Sequence, residues 1–173
     1  MDTYVAEEYL KTFEPFYQNM PVSPYEDIKM IFEKETGKKI SDVFSEFDQK
    51  PLASASLAQV HKAKLRSTGE TVAVKVQHAR LQEEVMGDLR ILDLAADLGG
   101  KYFAQFDYKW YTDDFREMIK QEMDFRIEAN NCKKCRDIFQ DSKNIVVPKV
   151  YDDFSTPRTL VMSFEEGVNV GKI

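Results

Sequence analysis

The chain has 173 residues, of which 43% are hydrophobic and 31% are charged, and its formal net charge is −6. This is the composition of a folded globular chain with one core, not of a disordered one. The acidic balance argues against a nucleic-acid partner, since the only basic segment is residues 51–85.

Membrane and metal signals are absent from the sequence. No apolar run has the length of a transmembrane helix, and the acidic N-terminus is unlike a basic targeting peptide, so we expect neither in this chain. The two cysteines, Cys132 and Cys135, form a lone C-x-x-C motif. Zinc needs four ligands, so we interpret them as reduced thiols and expect no metal site.

The N-terminal third is predicted to be helical, and we assign residues 1–50 to a helical extension. A first helix spans residues 4–14 and ends at Pro15. A second helix is predicted to begin after Ser23, which would be its N-cap and part of a capping box, and to end at Gly37. A short helical turn is predicted over Ser41–Phe47.

From Pro51 the hydrophobic period changes to two, which predicts strands. Leu57–Leu65 and Val72–Val76 form a pair joined by a turn, and Lys75 projects from the face opposite Val74. A helix over Leu81–Leu98 is expected to end at Gly99-Gly100, and residues 101–111 are predicted to form a loop.

The longest helical pattern runs from Thr112 to Phe139 without interruption. Glu122 falls on its apolar stripe and Glu128 borders the same face, so either glutamate could be the partner that a buried Lys75 needs. Two further strands are predicted at Val146–Tyr151 and Thr159–Phe164. His61 is interpreted as a strand-edge residue and His78 as a helix-start residue.

Two spaced patterns carry chemistry. Ala53, Ala55, Ala58 and Val60 fall on the positions of the kinase phosphate loop G-x-G-x-x-G-x-V, with alanine in place of each glycine. The sequence V-A-V-K ending at Lys75 matches the strand motif whose lysine pairs with ATP phosphates and with a helix glutamate.

With these motifs the sequence resembles the UbiB/ADCK (aarF-domain) family of atypical kinase-like proteins. The resemblance is carried by four stretches: Ala53-Ser-Ala-Ser-Leu-Ala-Gln-Val-His61, Val72-Ala-Val-Lys-Val-Gln77, Glu122-Met-Asp-Phe-Arg-Ile-Glu-Ala-Asn130 and Leu160-Val-Met-Ser-Phe-Glu-Glu-Gly167. It implies an α+β fold, in which the helical extension precedes a kinase-like N-lobe, residues 51–173, with a five-stranded antiparallel sheet and helices of the αC type.

The resemblance also implies a site for adenine nucleotide, with ATP and Mg²⁺ as cofactors. Lys75 would pair with phosphates, Glu128 is preferred over Glu122 as its ion-pair partner, and Glu122 with Asp124 would form an E-x-D motif. Asp124 is otherwise interpreted as part of a solvated helix face. The remaining implied nucleotide-binding residues are those of the loop and the hinge: Ala53, Ser54, Ala55, Ser56, Ala58, Met162, Ser163 and Glu165.

Several family motifs are missing from these 173 residues. They include K-x-G-Q, the catalytic-loop aspartate and asparagine, and the D-F-G aspartate that holds the metal. The chain alone, interpreted as a truncated lobe, is therefore not expected to catalyse phosphoryl transfer.

The resemblance links the chain to quinone and lipid metabolism, to peripheral membrane or lipid association, and to a mitochondrial or cytoplasmic location. The alternative is a non-catalytic interaction module, which docks on a C-lobe or another protein through the surface that a C-lobe would cover.

Overall fold

The computed structural model describes Tyr9 and residues 22–102 and 109–168. The predicted helix over residues 4–14 lies outside the described residues apart from Tyr9. The helices are α1 Tyr25–Thr36, α2 Ile40–Val43, α3 Leu81–Tyr102, α4 Lys109–Glu122 and α5 Phe125–Ile138. The strands are β1 Phe44–Phe47, β2 Ala53–Ser54, β3 Ala58–Leu65, β4 Thr71–Gln77 and β5 Thr159–Ser163, and a 3₁₀ turn spans Asp152–Phe154.

The five strands form one antiparallel sheet in the order β1-β3-β4-β5, with β2 paired to β3. This confirms the predicted α+β fold with a five-stranded antiparallel sheet. Lys75 lies opposite Val60 on β3 and Leu160 on β5. The lysine therefore occupies the centre of the sheet, with a strand on each side.

The sheet has two unlike faces because β4 alternates strictly. Val72, Val74 and Val76 are fully buried on one face, where they pack against α1 in the main core. Burying each such side chain contributes about 1.5–3 kcal/mol. The opposite face carries Lys75 and is covered by a smaller cluster, whose buried members are Ala58, Phe125, Ala129 and Leu160.

The second predicted helix is present, but its predicted N-cap is wrong. Pro24 occupies the N-cap position, and no side chain caps the helix there. Ser23 instead contacts two side chains outside the helix. Its hydroxyl lies 2.8 Å from His78 Nδ1, and its N–H donates to Gln59 Oε1 of β3. The predicted stop is confirmed: Gly37 has a left-handed φ of 68° and donates its N–H to the Glu33 carbonyl.

The predicted helical turn over Ser41–Phe47 is half wrong. Helix α2 ends at Val43, and Phe44–Phe47 is strand β1, which pairs with β3. The side chain of Phe44 faces the core, where it is buried beside Phe32 of α1. The main core therefore runs across residue 50, while the division of the chain at that residue stays a prediction.

Three further boundaries differ from the sequence analysis. Helix α3 continues through Gly99-Gly100 to Tyr102, because a glycine weakens a helix by about 1 kcal/mol without ending it. The long helix predicted from Thr112 is broken after Glu122 and restarts at Phe125. Val146–Tyr151 is not a strand, and only Val150 forms a bridge, with Met162.

Candidate functional site

Lys75 and Glu128 form an ion pair between the centre of the sheet and helix α5. Lys75 Nζ lies 2.6 Å from Glu128 Oε2 and 4.5 Å from the centroid of the Phe125 ring. The Lys75 side chain is 26% exposed and that of Glu128 is 45% exposed. Both side chains therefore remain reachable from solvent, and the lysine is held over the sheet by one carboxylate and one aromatic face.

The start of α5 determines where Glu128 lies. Asp124 is the N-cap, and its carboxylate accepts the backbone N–H of Arg126 at 3.0 Å. Hydrogen bonds from the Arg126 side chain lower the pKa of the Asp124 carboxyl, against a smaller opposing effect of burial. Asp124 is therefore a capping residue paired with arginine, and its interpretation as a solvated helix face is wrong.

Glu122 has a different place from the one its spacing suggested. It is the last residue of α4 and is exposed, whereas the apolar-stripe argument placed it inward. That argument assumed one continuous helix, and the break at Met123-Asp124 separates Glu122 from the face that Phe125 and Ala129 bury. Of the two glutamates considered, Glu128 is the one that contacts Lys75.

The alanine-rich loop lies at the edge of the same face. Ala53 pairs with Val60, Ser54 pairs with Gln59, and the N–H of Ala55 donates to the Ala58 carbonyl at 2.8 Å. Cross-strand partners share a face, so Ala53 lies on the face of Val60 and Lys75. Within this loop Ala58 is buried, and Ser56 is exposed at the tip.

His78 holds the loop from its outer side. Its Nε2 lies 2.9 Å from the Ala55 carbonyl and its Nδ1 lies 2.8 Å from the Ser23 hydroxyl. A cleft of about 380 Å³ opens beside this contact and includes Ser56 and Arg80 in its lining. His78 was predicted to lie at the start of a helix, and its two ring nitrogens also link Ser23 to the loop.

The residues assigned to the hinge lie at the end of β5, which contains Met162 and Ser163, and just after it, at Glu165. Met162 lies opposite Ala73 and is half-buried, and the N–H of Ser163 donates to the Lys149 carbonyl at 2.8 Å. The Ser163 hydroxyl also donates to the carboxylate of Glu165, which is exposed. The N–H of Ser163 is therefore used within the fold, while Glu165 stands at the solvent edge.

Two residues on the Lys75 face, Lys62 and Ala73, were not identified from the sequence, and Val60 was identified only as a position of the loop pattern. Val60 lies opposite Lys75, and Lys62 lies opposite Ala73. Lys62 Nζ lies 4.6 Å from the centroid of the Phe164 ring. The two-residue period of both strands could have identified them once the hairpin register was assumed.

His61 is not at a strand edge as interpreted from the sequence. It is fully buried on the core face, where its Nδ1 lies 2.7 Å from the Asp48 carbonyl and its Nε2 lies 2.9 Å from Gln59 Nε2. Its ring stacks on Phe47 with centroids 5.1 Å apart. The residue therefore belongs to a structural network behind the site.

The described residues contain neither a cluster of metal ligands nor a membrane-spanning helix. Among the described residues no group of three or more His, Cys, Asp or Glu side chains could hold a metal ion. Cys132 donates to the Pro148 carbonyl, and burial is the main reason that the pKa of its thiol is raised. Across the part of the chain that the structure describes, no helix combines the length and apolar character needed to cross a bilayer.

Comparison with known proteins places this geometry among kinase-like proteins. The family profile of the ABC1 atypical kinase-like domain matches residues 16–173. AarF domain-containing protein kinase 1 of Xenopus laevis is 36% identical over 170 residues, and a putative ABC1 protein of Arabidopsis thaliana is 37% identical over 179 residues. These alignments cover 98% and 100% of this chain but only 32% and 33% of the two relatives.

A solved structure gives the same fold. The Rv3197–erythromycin complex from Mycobacterium tuberculosis superposes with a TM-score of 0.78 at 28% identity, covering 96% of this chain and 41% of the other. The chain thus spans about a third of the length of the two curated relatives.

Proposed function

Because the chain belongs to the AarF (ABC1) family of atypical kinase-like proteins, we propose that it forms the nucleotide-binding lobe of an atypical kinase or ATPase. Lys75 pairs with the phosphates of ATP, and Glu128 holds the lysine in place. The single observation that carries this proposal is the 2.6 Å ion pair between Lys75 and Glu128. A lysine restrained by a helix glutamate is the arrangement that phosphoryl-transfer lobes need.

The side chains around Lys75 are suited to the adenine ring of a nucleotide as well as to its charged phosphates. Val60, Ala73 and Leu160 share its face of the sheet and are apolar or small, so a purine ring could pack against them, beside Lys62, whose Nζ lies over the Phe164 ring. Ala53 and Ser54 are the strand residues that precede the loop turn. We assign the adenine side to Met162, Ser163 and Glu165, and the phosphate side to Lys75 and the loop formed by Ala53, Ser54, Ala55, Ser56 and Ala58.

The carboxylates around Lys75 do not fit a Mg²⁺ site. Glu128 is committed to Lys75 and Asp124 to Arg126. Magnesium is held by carboxylates that are not already paired, together with phosphate oxygens and water. We therefore assign nucleotide contacts to the described residues, and neither a metal ligand nor a step of phosphoryl transfer.

The assignments of a metabolic role and a location rest on membership of the AarF (ABC1) family. We propose that the nucleotide site serves quinone or lipid metabolism, at a membrane surface in mitochondria or in the cytoplasm. The Dictyostelium discoideum relative that is 35% identical over 173 residues is named a probable serine/threonine-protein kinase. For this chain, kinase activity is a proposal, because the matched segment is 26% of that relative.

Nucleotide affinity of Lys75→Met tests the proposal. We expect the wild-type chain to bind ATP or ADP in calorimetric titration, and Lys75→Met to bind at least about tenfold more weakly, since a hydrogen bond to a charged group contributes about 1.5–3 kcal/mol. Lys133→Met is the matched control, because Lys133 pairs with Asp152 and not with Glu128. Equal affinity of Lys75→Met and wild type would overturn the role of Lys75, and a wild type that binds neither nucleotide would overturn the proposed function.

A further inference from the structure

We propose that Gln77 is a positioning residue of the site: its side-chain amide fixes the start of α5 on the sheet and thereby sets Glu128 against Lys75. The idea rests on the proposed function only where nucleotide affinity is measured.

Gln77 lies two residues after Lys75 on β4, so both side chains project from the same face of the sheet. It is fully buried, unlike Lys75, which borders solvent. Its Nε2 donates to the Met123 carbonyl at 2.5 Å and to the Pro157 carbonyl at 3.3 Å. Both carbonyl oxygens can only accept hydrogen bonds, so the Nε2 of Gln77, and not its Oε1, must face them.

The two carbonyls lie at the break between the helices. Met123 is the first residue after α4, and its carbonyl is one that a continuing helix would use internally. The Pro157 carbonyl also accepts the N–H of Phe125, the first residue of α5, at 3.0 Å. Gln77 and the first residue of α5 therefore share one acceptor in the turn before β5.

Apart from the N-cap residue Asp124, no residue at the break explains the interruption of the helix. Neither glycine nor proline occurs between Glu122 and Phe125, and the apolar periodicity runs through it. At the break Ile127 N donates to the Asp124 carbonyl, in place of the bond that a continuous helix would direct from Ile127 to Met123. The sheet therefore adds to the N-cap of Asp124 an interaction from outside the helix, through the amide of Gln77.

Glu128 follows Phe125 by three residues, less than one helical turn. Fixing Phe125 in the smaller cluster and its N–H on Pro157 fixes the rotation of α5, so Glu128 faces the sheet at Lys75. If the helix ran on through Asp124, the direction of Glu128 would change with it. Gln77 acts on the ion pair through this geometry and contacts neither ion in the structure.

The test compares Gln77→Met with Gln59→Met. Methionine keeps the length and volume of glutamine but donates no hydrogen bond. Gln59 is equally buried on the neighbouring strand, but it faces the other side of the sheet and bonds to Ser23 and His61. Both variants lose a buried amide, and only one of them loses the bond to the helix break.

The readout is the coupling between Lys75→Met and Glu128→Gln in a double-mutant cycle by urea unfolding, at low ionic strength where screening is weakest. We expect the coupling to persist in the Gln59→Met background and to be lost in the Gln77→Met background. Coupling that survives equally in both backgrounds would overturn the proposal. Should Gln77→Met fail to fold, Gln77→Asn, which keeps the amide but shortens its reach, takes its place with the same expectation of reduced coupling.

ATP affinity supplies a second readout. We expect Gln77→Met to weaken binding by at least about tenfold and Gln59→Met to leave it within about twofold, since only the first misplaces Glu128. Equal weakening by both variants would mean a general effect of stability and would contradict a positioning role. If the wild-type chain binds no nucleotide, the proposed function fails, while the coupling measurement still decides the role of Gln77.

Discussion

His61 is held in one tautomer by the residues around it. Gln59 Oε1 accepts the N–H of Ser23, so the amide nitrogen of Gln59 must donate to His61 Nε2. His61 Nδ1 then carries the proton and donates to the Asp48 carbonyl. Burial lowers the pKa of His61 from its ordinary value of 6.5, and the hydrogen bond to the Asp48 carbonyl opposes this only in part.

This burial predicts a loss of stability in mild acid. Below about pH 6.5 the unfolded chain binds a proton at this position that the folded chain refuses, so the free energy of unfolding falls as the pH falls, by at most about 1.4 kcal/mol per pH unit. Urea unfolding at about pH 7.5 and about pH 5.5 measures it, and His61→Gln should show a smaller loss. The wild type and His61→Gln both keep His78. An identical pH dependence of their free energies of unfolding would therefore show that His61 is not the source of the lost stability.

At the scale of elements, the start of α5 depends on Asp124 as well as on Gln77. The carboxylate caps the N–H of Arg126 and pairs with its side chain. Glu122, two residues earlier, ends α4 in an exposed position. Of these two carboxylates, Asp124 is the one that stabilises a helix end.

Asp124→Ala should therefore lower the free energy of unfolding by about 1 kcal/mol, as the loss of an N-cap generally does. Glu122→Gln, at the neighbouring exposed position, should change it by less than about 0.5 kcal/mol. Chemical denaturation monitored by circular dichroism compares the two variants. A Glu122→Gln protein as destabilised as Asp124→Ala would show that the carboxylates are equivalent.

The same elements show what local sequence can predict. Strands β3 and β4 and the face of Lys75 follow from alternation, which depends only on neighbouring residues. The helix break and the place of Ser23 depend on contacts with Gln77 and His78, which are distant in sequence from Met123 and Ser23. Local periodicity cannot contain such information, so it gave one long helix and a capping serine.

At the scale of the molecule, the main core of the described residues lies on the face of the sheet opposite Lys75. Phe32 of α1 is fully buried there and contacts Phe44 of β1, with ring centroids 5.4 Å apart. Helix α1 thus belongs to the main core together with β1 and β4. The site face carries the smaller buried cluster, and most of the apolar burial lies behind it.

Phe32→Ala should cost about 3–5 kcal/mol, since it leaves a large cavity in the core. That is a large part of the stability of a domain, which is about 5–15 kcal/mol in total. Met30→Ala on the same helix is the control: Met30 is 57% exposed, and its substitution should change stability by less than about 0.5 kcal/mol. Urea midpoints that move equally in the two variants would contradict the position of the core.

The order of the strands also affects how the chain folds while it is being synthesised. The residue that ends β4 and the turn that precedes its neighbour β5 are 80 residues apart, as Gln77 and Pro157 show, and helices α3, α4 and α5 lie between them. The β3–β4 hairpin can close early, because its strands are adjacent, whereas closing the longer loop costs more chain entropy. On a nascent chain, β4 therefore presents an open apolar edge until Thr159–Ser163 has emerged, and during that interval we expect the chain to be most prone to aggregation and to need a chaperone.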